Sequence, residues 1–454
     1  MGKLLIKNAT VITEGNRLEE DVLIEGEVIS SVSKNIQIDS DTEVIDADGL
    51  ILIPGMIDDQ VHFREPGLTH KGNISSESKA AIAGGVTSYI EMPNTSPNTT
   101  TIEEFNKKIS IASIDSYSNF SFMFGGTNDN LDEIKKIDPT EVAGIKLFLG
   151  SSTGKMLIDN LNSIEKIFSS TSLPISAHCE DEQTIKNNSK KYKEIYGENV
   201  PMECHPKIRS VEACYKSSKY ATDLAKKTGA RLNVFHISTQ KELDLFNNKL
   251  PVEEKKITAE VCAHHLWFTD KDYKKFGSKI KWNPAIKSQS DKDALWNAIK
   301  EDKIDIIASD HAPHTEIEKE NSYFNCPSGG PMVQHTILSL LDESPKHGVS
   351  IEKIVEKIAH NPSKIFKIKK RGFIKEGYYA DIVLVDPNSP TLVSKKSLLY
   401  KCGWSPFEGV TFSSSIHSTI LNGRVVYSNG KVNDNPHGKT VSYTHLPLPT
   451  NREV

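Results

Sequence analysis

The stretch Ser75-Ser-Glu-Ser-Lys-Ala-Ala-Ile-Ala-Gly-Gly-Val-Thr-Ser-Tyr-Ile-Glu-Met92 decides the fold, because a helical stretch over residues 75–83 is followed by a short apolar strand over Thr87–Met92. The same alternation continues along the middle of the chain. Seven more strand candidates are Met56–Asp58, Phe120–Gly125, Gly144–Leu149, Pro174–His178, Leu232–His236, Ile257–Val261 and Asp305–Asp310. Further helical stretches between them are Ile102–Ala112, Ser163–Ser169, Val211–Thr228 and Lys292–Lys300. Eight such units predict an α/β fold of the parallel (β/α)8 barrel type, the TIM barrel, and a doubly wound open sheet is the alternative.

The two ends of the chain differ from this middle because they read as short strands without helices. Strand candidates are Leu4–Thr13, Asp21–Ile24, Val28–Ile29, Ala380–Val385 and a hairpin over Ser418–Tyr427 around Asn422-Gly423. Strands at this spacing are typical of an antiparallel sheet or sandwich, and Asn-Gly is a strong hairpin signal. We therefore expect a small β-sandwich domain formed by both termini, residues 1–53 and 373–439, with the barrel over residues 54–372.

The last residues, 440–454, are predicted to be a non-native or disordered tail. Val441–Leu446 can be encoded by GTC TCT TAT ACA CAT CTN, which resembles a transposon-end adapter used in DNA library preparation. We exclude these residues from the fold prediction.

Composition excludes several classes of protein. Among 454 residues, Lys and Arg number 55 and Asp and Glu 60, so a net charge of −5 argues against a nucleic-acid partner. No apolar run approaches the roughly 18 residues of a membrane helix, and the polar residues after the first six lead us to expect no secretory signal. Six scattered cysteines without a CxxC pattern favour a reducing, cytoplasmic location. We expect no membrane partner and a small-molecule substrate.

Potential metal ligands stand at or near the ends of several predicted strands. His62 follows the first strand, His178 and His236 close the fifth and sixth, and Asp310 closes the eighth. Lys146 lies within the fourth. Because the carboxyl ends of all barrel strands meet at one mouth, we expect these side chains to converge there. Imidazoles and a carboxylate together predict a zinc-type site.

Lys146 requires a separate interpretation, since metal ions would repel an ammonium group. A desolvated lysine has a lowered pKa and is a neutral nucleophile, which carbon dioxide converts to an anionic carbamate able to bridge two metal ions. The alternative is a lysine whose charge reaches solvent at the barrel mouth. The sequence leaves both open.

The motifs His62-Phe-Arg-Glu-Pro-Gly67 and Ser309-Asp-His-Ala-Pro-His314, with the lysine strand and the two later histidine strands, resemble the class I type dihydroorotases of the cyclic amidohydrolase superfamily. The resemblance runs from about residue 4 to residue 435. It implies a (β/α)8 barrel with a small β-sandwich, zinc (one or two ions per chain) and an N-carboxylated lysine. It also implies reversible hydrolysis of (S)-dihydroorotate to N-carbamoyl-L-aspartate in de novo pyrimidine (UMP) biosynthesis.

The resemblance also assigns roles to the metal-binding residues. His62 would bind the more buried metal, and Lys146 as carbamate would bridge both. His178 and His236 would hold the second metal. Asp310 would bind the first metal and act as general base and acid toward a metal-activated hydroxide.

For the substrate, the resemblance implies that Arg64 binds the carboxylate, with support from Asn94 and His314, and that Asn283 is a further contact. A guanidinium offers two parallel hydrogen bonds to a planar carboxylate. Arg64 also argues against an allantoinase or hydantoinase, whose rings lack this carboxylate.

Gln60 is the one departure from the motif, because the resembling proteins have His-x-His where this chain has Gln60-Val-His62. An amide is a much weaker zinc ligand than imidazole. Three outcomes follow: two metals with one weak position, one metal, or a non-catalytic subunit that partners aspartate transcarbamoylase. The resemblance further implies a homo-oligomer.

Two other features stay open. His264-His265 follows the seventh strand and is either part of the mouth or a plain loop pair. His205 and Arg209 lie in an insertion after the fifth strand and could cover the substrate.

Overall fold

The computed structural model of the protein describes residues 2–150 and 156–445. The chain begins with five strands, of which β1 pairs antiparallel with β2 and parallel with both β4 and β5. Leu4, Leu5 and Ile6 on β1 are buried in succession, so both faces of this part of the strand are covered. The five strands are β1 (Lys3–Thr13), β2 (Asn16–Glu25), β3 (Val28–Ser33), β4 (Glu43–Asp46) and β5 (Ile51–Pro54).

The middle of the chain forms a closed parallel barrel. Neighbouring strands pair in parallel around the ring, and a parallel bridge between Val61 and His311 joins its first and last positions. Nine segments fill eight positions, because β8 and β9 are one strand interrupted at Met123: β6 (Met56–Val61), β7 (Val86–Glu91), β8 (Asn119–Phe122), β9 (Phe124–Gly125), β10 (Ile145–Phe148), β11 (Ile175–His178), β12 (Leu232–Val234), β13 (Ile257–Cys262) and β14 (Ile306–Ala308). The predicted (β/α)8 barrel is therefore confirmed, and the open doubly wound sheet is excluded.

Helices alternate with the barrel strands, and the longer outer helices bury one face. In the helix over Leu161–Ser170, for example, Ile164, Ile167 and Phe168 are buried at helical spacing. The helices are α1 (Ile74–Ala83), α2 (Ile102–Asp115), α3 (Leu131–Ile134), α4 (Leu161–Ser170), α5 (Glu182–Tyr196), α6 (His205–Ile208), α7 (Val211–Thr228), α8 (Ala263–Trp267), α9 (Tyr273–Phe276), α10 (Gln289–Lys300), α11 (Glu316–Lys319), α12 (Thr336–Glu343), α13 (Ile351–Val355) and α14 (Asn361–Ile365). No helix in the described part of the chain is long and apolar enough to cross a membrane.

The last strands return to the first sheet. β15 pairs antiparallel with β5 and with β18, so both ends of the chain contribute to one sheet with its own apolar core. The sheet is mixed rather than antiparallel, because β4 and β5 run parallel to β1. Asn422 and Gly423 both have positive φ, as the predicted two-residue hairpin turn requires. The strands that join this sheet are β15 (Ile382–Asp386), β18 (Ser415–Leu421), β19 (Arg424–Ser428) and β20 (Lys431–Val432), whereas β16 (Thr391–Leu392) and β17 (Thr411–Phe412) pair with each other in a separate two-stranded sheet.

Residues 440–445, the described part of the predicted tail, are ordered against the rest of the protein and not disordered. Val441 and Tyr443 are buried, and the Val441 N–H donates to the Phe120 carbonyl at 2.9 Å. Residues 440–445 are therefore packed against the barrel. The rest of the predicted tail, residues 446–454, lies outside the described residues, and the domain boundaries and the origin of residues 440–454 stay predictions.

Candidate active site

A cavity opens at the carboxyl ends of the barrel strands. Its walls include Gln60, Phe148 and Trp282. The structure also brings seven of the predicted site residues to these walls: His62, Arg64, Asn94, His178, His236, Asn283 and Asp310. Strand ends that are far apart in sequence meet here because the parallel strands all point their carboxyl ends the same way.

His62 and Asp310 form the first pair of potential metal ligands. Nε2 of His62 lies 3.3 Å from Oδ1 of Asp310. On the other side of the ring, Nδ1 lies 2.7 Å from Oδ1 of Asn94, which accepts a hydrogen bond and so leaves the lone pair on Nε2. Burial is the main reason that the pKa of His62 lies well below its usual value, and the imidazole is therefore neutral. A neutral ring held by a hydrogen bond on its far nitrogen suits a metal ligand.

His178 and His236 form the second pair. Nδ1 of His178 lies 2.9 Å from Nε2 of His236, close to the roughly 3.3 Å between two nitrogen ligands of one tetrahedral zinc ion. Nε2 of His178 lies 3.1 Å from a carboxylate oxygen of Glu180, which orients the ring. Burial lowers the pKa of both histidines, so both offer neutral imidazoles. The donor set fits a metal ion.

Lys146 is enclosed in the barrel rather than exposed at its mouth. It is 1% exposed, and its Nζ has no hydrogen-bond partner among the described residues. Nζ lies 3.8 Å from the centre of the Phe235 ring. Burial lowers the pKa of Lys146 to about 8, and the carboxylates of Glu260 and Asp310 oppose the shift. The alternative in which its charge reaches solvent is therefore wrong, and the enclosed amine fits a nucleophile toward carbon dioxide.

Asp310 has the titration expected of a base at neutral pH. Burial raises its pKa to about 7, although the positive charge of Lys146 and the nearby His178 and Arg64 act in the opposite direction. Its backbone also has φ of +46°, and Arg64 and His236 have φ of +73° and +45°. Left-handed backbone is uncommon for such residues and often marks functional sites.

Arg64 is fixed in place by its own hydrogen bonds. Its Nε donates to the Pro313 carbonyl at 3.0 Å, and its Nη2 lies 3.0 Å from Nε2 of His314. Burial lowers the pKa of Arg64 to about 10, which leaves the guanidinium charged at neutral pH. His314 does not line the cavity, since its other ring nitrogen lies 3.1 Å from Nζ of Lys71. His314 thus lies behind Arg64, in a position to support it, and its role in substrate binding stays a prediction.

Two amides complete the cavity wall. Oδ1 of Asn283 is buried without a hydrogen-bond partner in the described structure and faces the cavity that Asn283 lines. Oε1 of Gln60 accepts a hydrogen bond from the thiol of Cys262 at 3.6 Å. Gln60 therefore stands beside the first ligand pair, where the motif predicts an imidazole, and its oxygen points toward a thiol.

The sequence interpretation missed several residues of the site. Glu180 lies two positions after His178, just beyond the end of β11. The two-residue period of a strand could have indicated that the two side chains lie on the same side. Trp282 precedes Asn283, but nothing in the sequence marks it as a wall of the cavity. Arg209 pairs with Glu180, and His205 contacts the carbonyl of Trp282 at 2.6 Å, so neither is among the cavity-lining residues.

Comparisons with known proteins agree with this geometry. The model of the amidohydrolase family matches residues 51–426. A dihydroorotase from Methanosarcina acetivorans is 30% identical, covering 96% of this chain and 94% of the relative. An allantoinase from Desulfitobacterium hafniense is also 30% identical, over 96% of this chain and 98% of its own. The solved structure of an L-hydantoinase from Arthrobacter aurescens superposes with a TM-score of 0.91 at 25% identity, covering 97% of this chain and all of that one. With its barrel, its paired histidines and a family match over most of its length, the chain belongs to the amidohydrolase family and is a hydrolase.

Proposed function

We propose that the protein is a zinc-dependent dihydroorotase that reversibly hydrolyses (S)-dihydroorotate to N-carbamoyl-L-aspartate in pyrimidine biosynthesis. The observation that carries the proposal is Arg64, a buried and charged guanidinium on the wall of the cavity that also holds Asp310. A fixed guanidinium favours a substrate with a carboxylate beside its cyclic amide. Several relatives named dihydroorotase support the proposal. We expect the enzyme to work in the cytoplasm as a homo-oligomer.

The amidohydrolase family generally uses a metal, and the residues of the cavity fit one. His178 and His236 would hold one ion, His62 and Asp310 would hold another, and a carboxylated Lys146 would bridge the two. When bound, zinc would polarise the amide carbonyl and lower the pKa of water toward neutrality.

The remaining steps belong to the residues of the chain. Asp310, whose pKa lies at about 7, accepts the proton of the attacking water and returns it to the ring nitrogen when the amide bond breaks. Arg64 orients the ring through its carboxylate. Asn94 holds the His62 ring, and the free Oδ1 of Asn283 accepts an N–H of the substrate.

Two other functions each have an observation in their favour. An allantoinase relative and a hydantoinase structure favour a cyclic amide without a carboxylate, but Arg64 would then have no partner in the substrate. Gln60 favours a non-catalytic subunit that partners aspartate transcarbamoylase. The intact pairs His62–Asp310 and His178–His236 support an active enzyme instead.

The deciding experiment compares dihydroorotate with dihydrouracil, the same type of ring without the carboxylate. We expect the zinc-loaded protein to turn over dihydroorotate. In Arg64→Ala, kcat/KM for dihydroorotate should fall by about 10- to 150-fold, as the loss of a hydrogen bond to a charged group implies. Turnover of dihydrouracil should change far less.

Arg64→Lys is the control, because it keeps the charge but not the bidentate geometry of the guanidinium. Its kcat/KM for dihydroorotate should lie between those of the wild type and Arg64→Ala. If Arg64→Ala lowered kcat/KM equally for dihydroorotate and dihydrouracil, the role of Arg64 would be contradicted. A well-folded, fully loaded wild-type protein without turnover in either direction would favour the non-catalytic subunit.

A further inference from the structure

A second group of potential metal ligands lies on the other side of Gln60. Cys262 closes strand β13, and His264 and His265 follow in helix α8. The sulfur and one ring nitrogen of each histidine all lie within 4.8 Å of one another, and the three side chains are buried. None of the three belongs to the predicted set of His62, His178, His236, Lys146 and Asp310.

The histidines of this group have free lone pairs. Nε2 of His265 lies 3.1 Å from the Pro284 carbonyl, so it carries the proton and donates, and Nδ1 is left bare. That Nδ1 has no hydrogen-bond partner within the described part of the chain, and the His264 ring, which interacts with the Ser309 backbone, keeps its other nitrogen unpaired. An imidazole that donates its far N–H to a backbone carbonyl is the usual arrangement of a metal ligand. Unpaired buried nitrogens are otherwise costly.

The group is held in a fixed position. The His264 ring stacks on the indole of Trp282, with centroids 4.4 Å apart and planes 12° from parallel. The thiol of Cys262 donates to Oε1 of Gln60 at 3.6 Å, and Gln60 also lines the cavity. Gln60 therefore contacts both the cavity and the thiol.

We propose that Cys262, His264 and His265 form a separate site for a soft divalent ion of the zinc class. Thiolate and imidazole are ligands that such ions prefer. As the sulfur–metal bond forms, the thiol releases its proton to solvent. Ligand atoms on a tetrahedral zinc ion lie about 3.3–3.6 Å apart, so the three side chains close by about 1 Å around the ion. This inference does not depend on the substrate of the cavity.

Cobalt(II) tests the site in the full-length protein without any activity measurement. A thiolate bound to cobalt gives a sulfur-to-metal charge-transfer band in the near ultraviolet. We expect that band in the wild-type protein and its loss in Cys262→Ser, together with about one metal ion fewer per chain by elemental analysis. Cys214→Ser is the matched control, since Cys214 is equally buried but lies on helix α7, and it should keep the band.

Two further variants keep the result decisive. If Cys262→Ser does not fold, His265→Asn should show the same loss of one ion, with folding checked by near-ultraviolet circular dichroism. His178→Asn should keep the band, because His178 belongs to the other ligand set. A cobalt-loaded wild type without the band, a band that survives in Cys262→Ser, or one that disappears in His178→Asn would overturn the proposal.

Discussion

Asp310 shows how burial alone prepares a residue for its chemistry. Taken out of water, its carboxyl has a pKa of about 7, against roughly 3.9 for a free aspartate. A base with this pKa is half ionised at neutral pH and can both take and return a proton. A bound cation would favour the ionised form and move this pKa back toward that of a free aspartate.

Asp310→Asn should lower kcat by about 10²- to 10⁴-fold, because it removes the proton acceptor. In the wild type, only the ionised carboxylate acts as base, so kcat/KM should fall as the pH drops through the pKa of Asp310, which a bound metal ion places below 7. The measurement is a pH profile between pH 5 and pH 9 on protein of known metal content.

The control for this prediction is Asp310→Glu, which keeps the carboxylate and should retain an acidic limb at reduced rate. A near-normal kcat in Asp310→Asn at matched metal content would rule out its role as base.

Gln60 should limit metal binding at the first position. Gln60→His offers an imidazole in place of a neutral amide, so we expect affinity at this position to rise by at least about 10-fold. Equilibrium dialysis against buffered zinc measures the change. Gln60→Asn is the control and should not tighten binding; equal affinity in all three proteins would mean that residue 60 does not face the ion.

The residues of the site could be predicted from sequence to the extent that strand topology determines their position. His62, His178, His236 and Asp310 meet because each stands at the end of a parallel strand. The place of His314 could not be predicted, because it depends on how the loop after β14 folds back on Arg64. Trp282 was missed because no local sequence pattern marks it as a wall of the cavity.

At the scale of elements, strong periodic patterns gave the most accurate predictions. The helix over Val211–Thr228 has its predicted bounds, and each of the eight predicted barrel strands overlaps an observed one. The packing of residues 440–445 could not be predicted, because the burial of Val441 and Tyr443 depends on buried residues that are distant in sequence and not on a local pattern.

The contact between helix α2 and strand β7 depends on a fully buried ion pair. Nζ of Lys108 lies 2.5 Å from a carboxylate oxygen of Glu91 and donates to the Met92 carbonyl at 3.0 Å. Lys108→Ala should cost about 3–5 kcal/mol of unfolding free energy, because it leaves the Glu91 carboxyl buried without its partner. Urea denaturation measures the loss.

Lys107→Ala is the matched control for Lys108→Ala, since the neighbouring lysine pairs with Glu103 and Glu104 at the exposed surface of the same helix. Its cost in unfolding free energy should be far smaller than that of Lys108→Ala, because solvent screens an exposed ion pair. The double variant Lys108→Met with Glu91→Leu should recover much of the loss. Similar costs for the two lysine variants would contradict the importance of the buried pair.

For the whole molecule, the barrel and the terminal sheet meet at a buried polar network. Nδ2 of Asn119, on barrel strand β8, donates to Asp381 at 3.1 Å, and the Asn422 backbone N–H donates to the same carboxylate at 2.8 Å. Arg371 forms an ion pair with Asp381 and donates to the Asn422 side chain at 3.0 Å. One carboxylate thus ties the barrel, the hairpin turn and the connection between them.

Asp381→Ala should therefore destabilise the whole chain and not only its sheet. The substitution leaves the Arg371 guanidinium, which is 4% exposed, without its counter-charge. We therefore expect the free energy of unfolding to fall by about 3–5 kcal/mol. Asp386→Ala, further along the same chain segment at a half-buried position, should cost about 1 kcal/mol or less. Urea unfolding followed by tryptophan fluorescence and by far-ultraviolet circular dichroism reports on both parts of the molecule. Equal midpoints for the two variants would show that the network does not couple the barrel to the sheet.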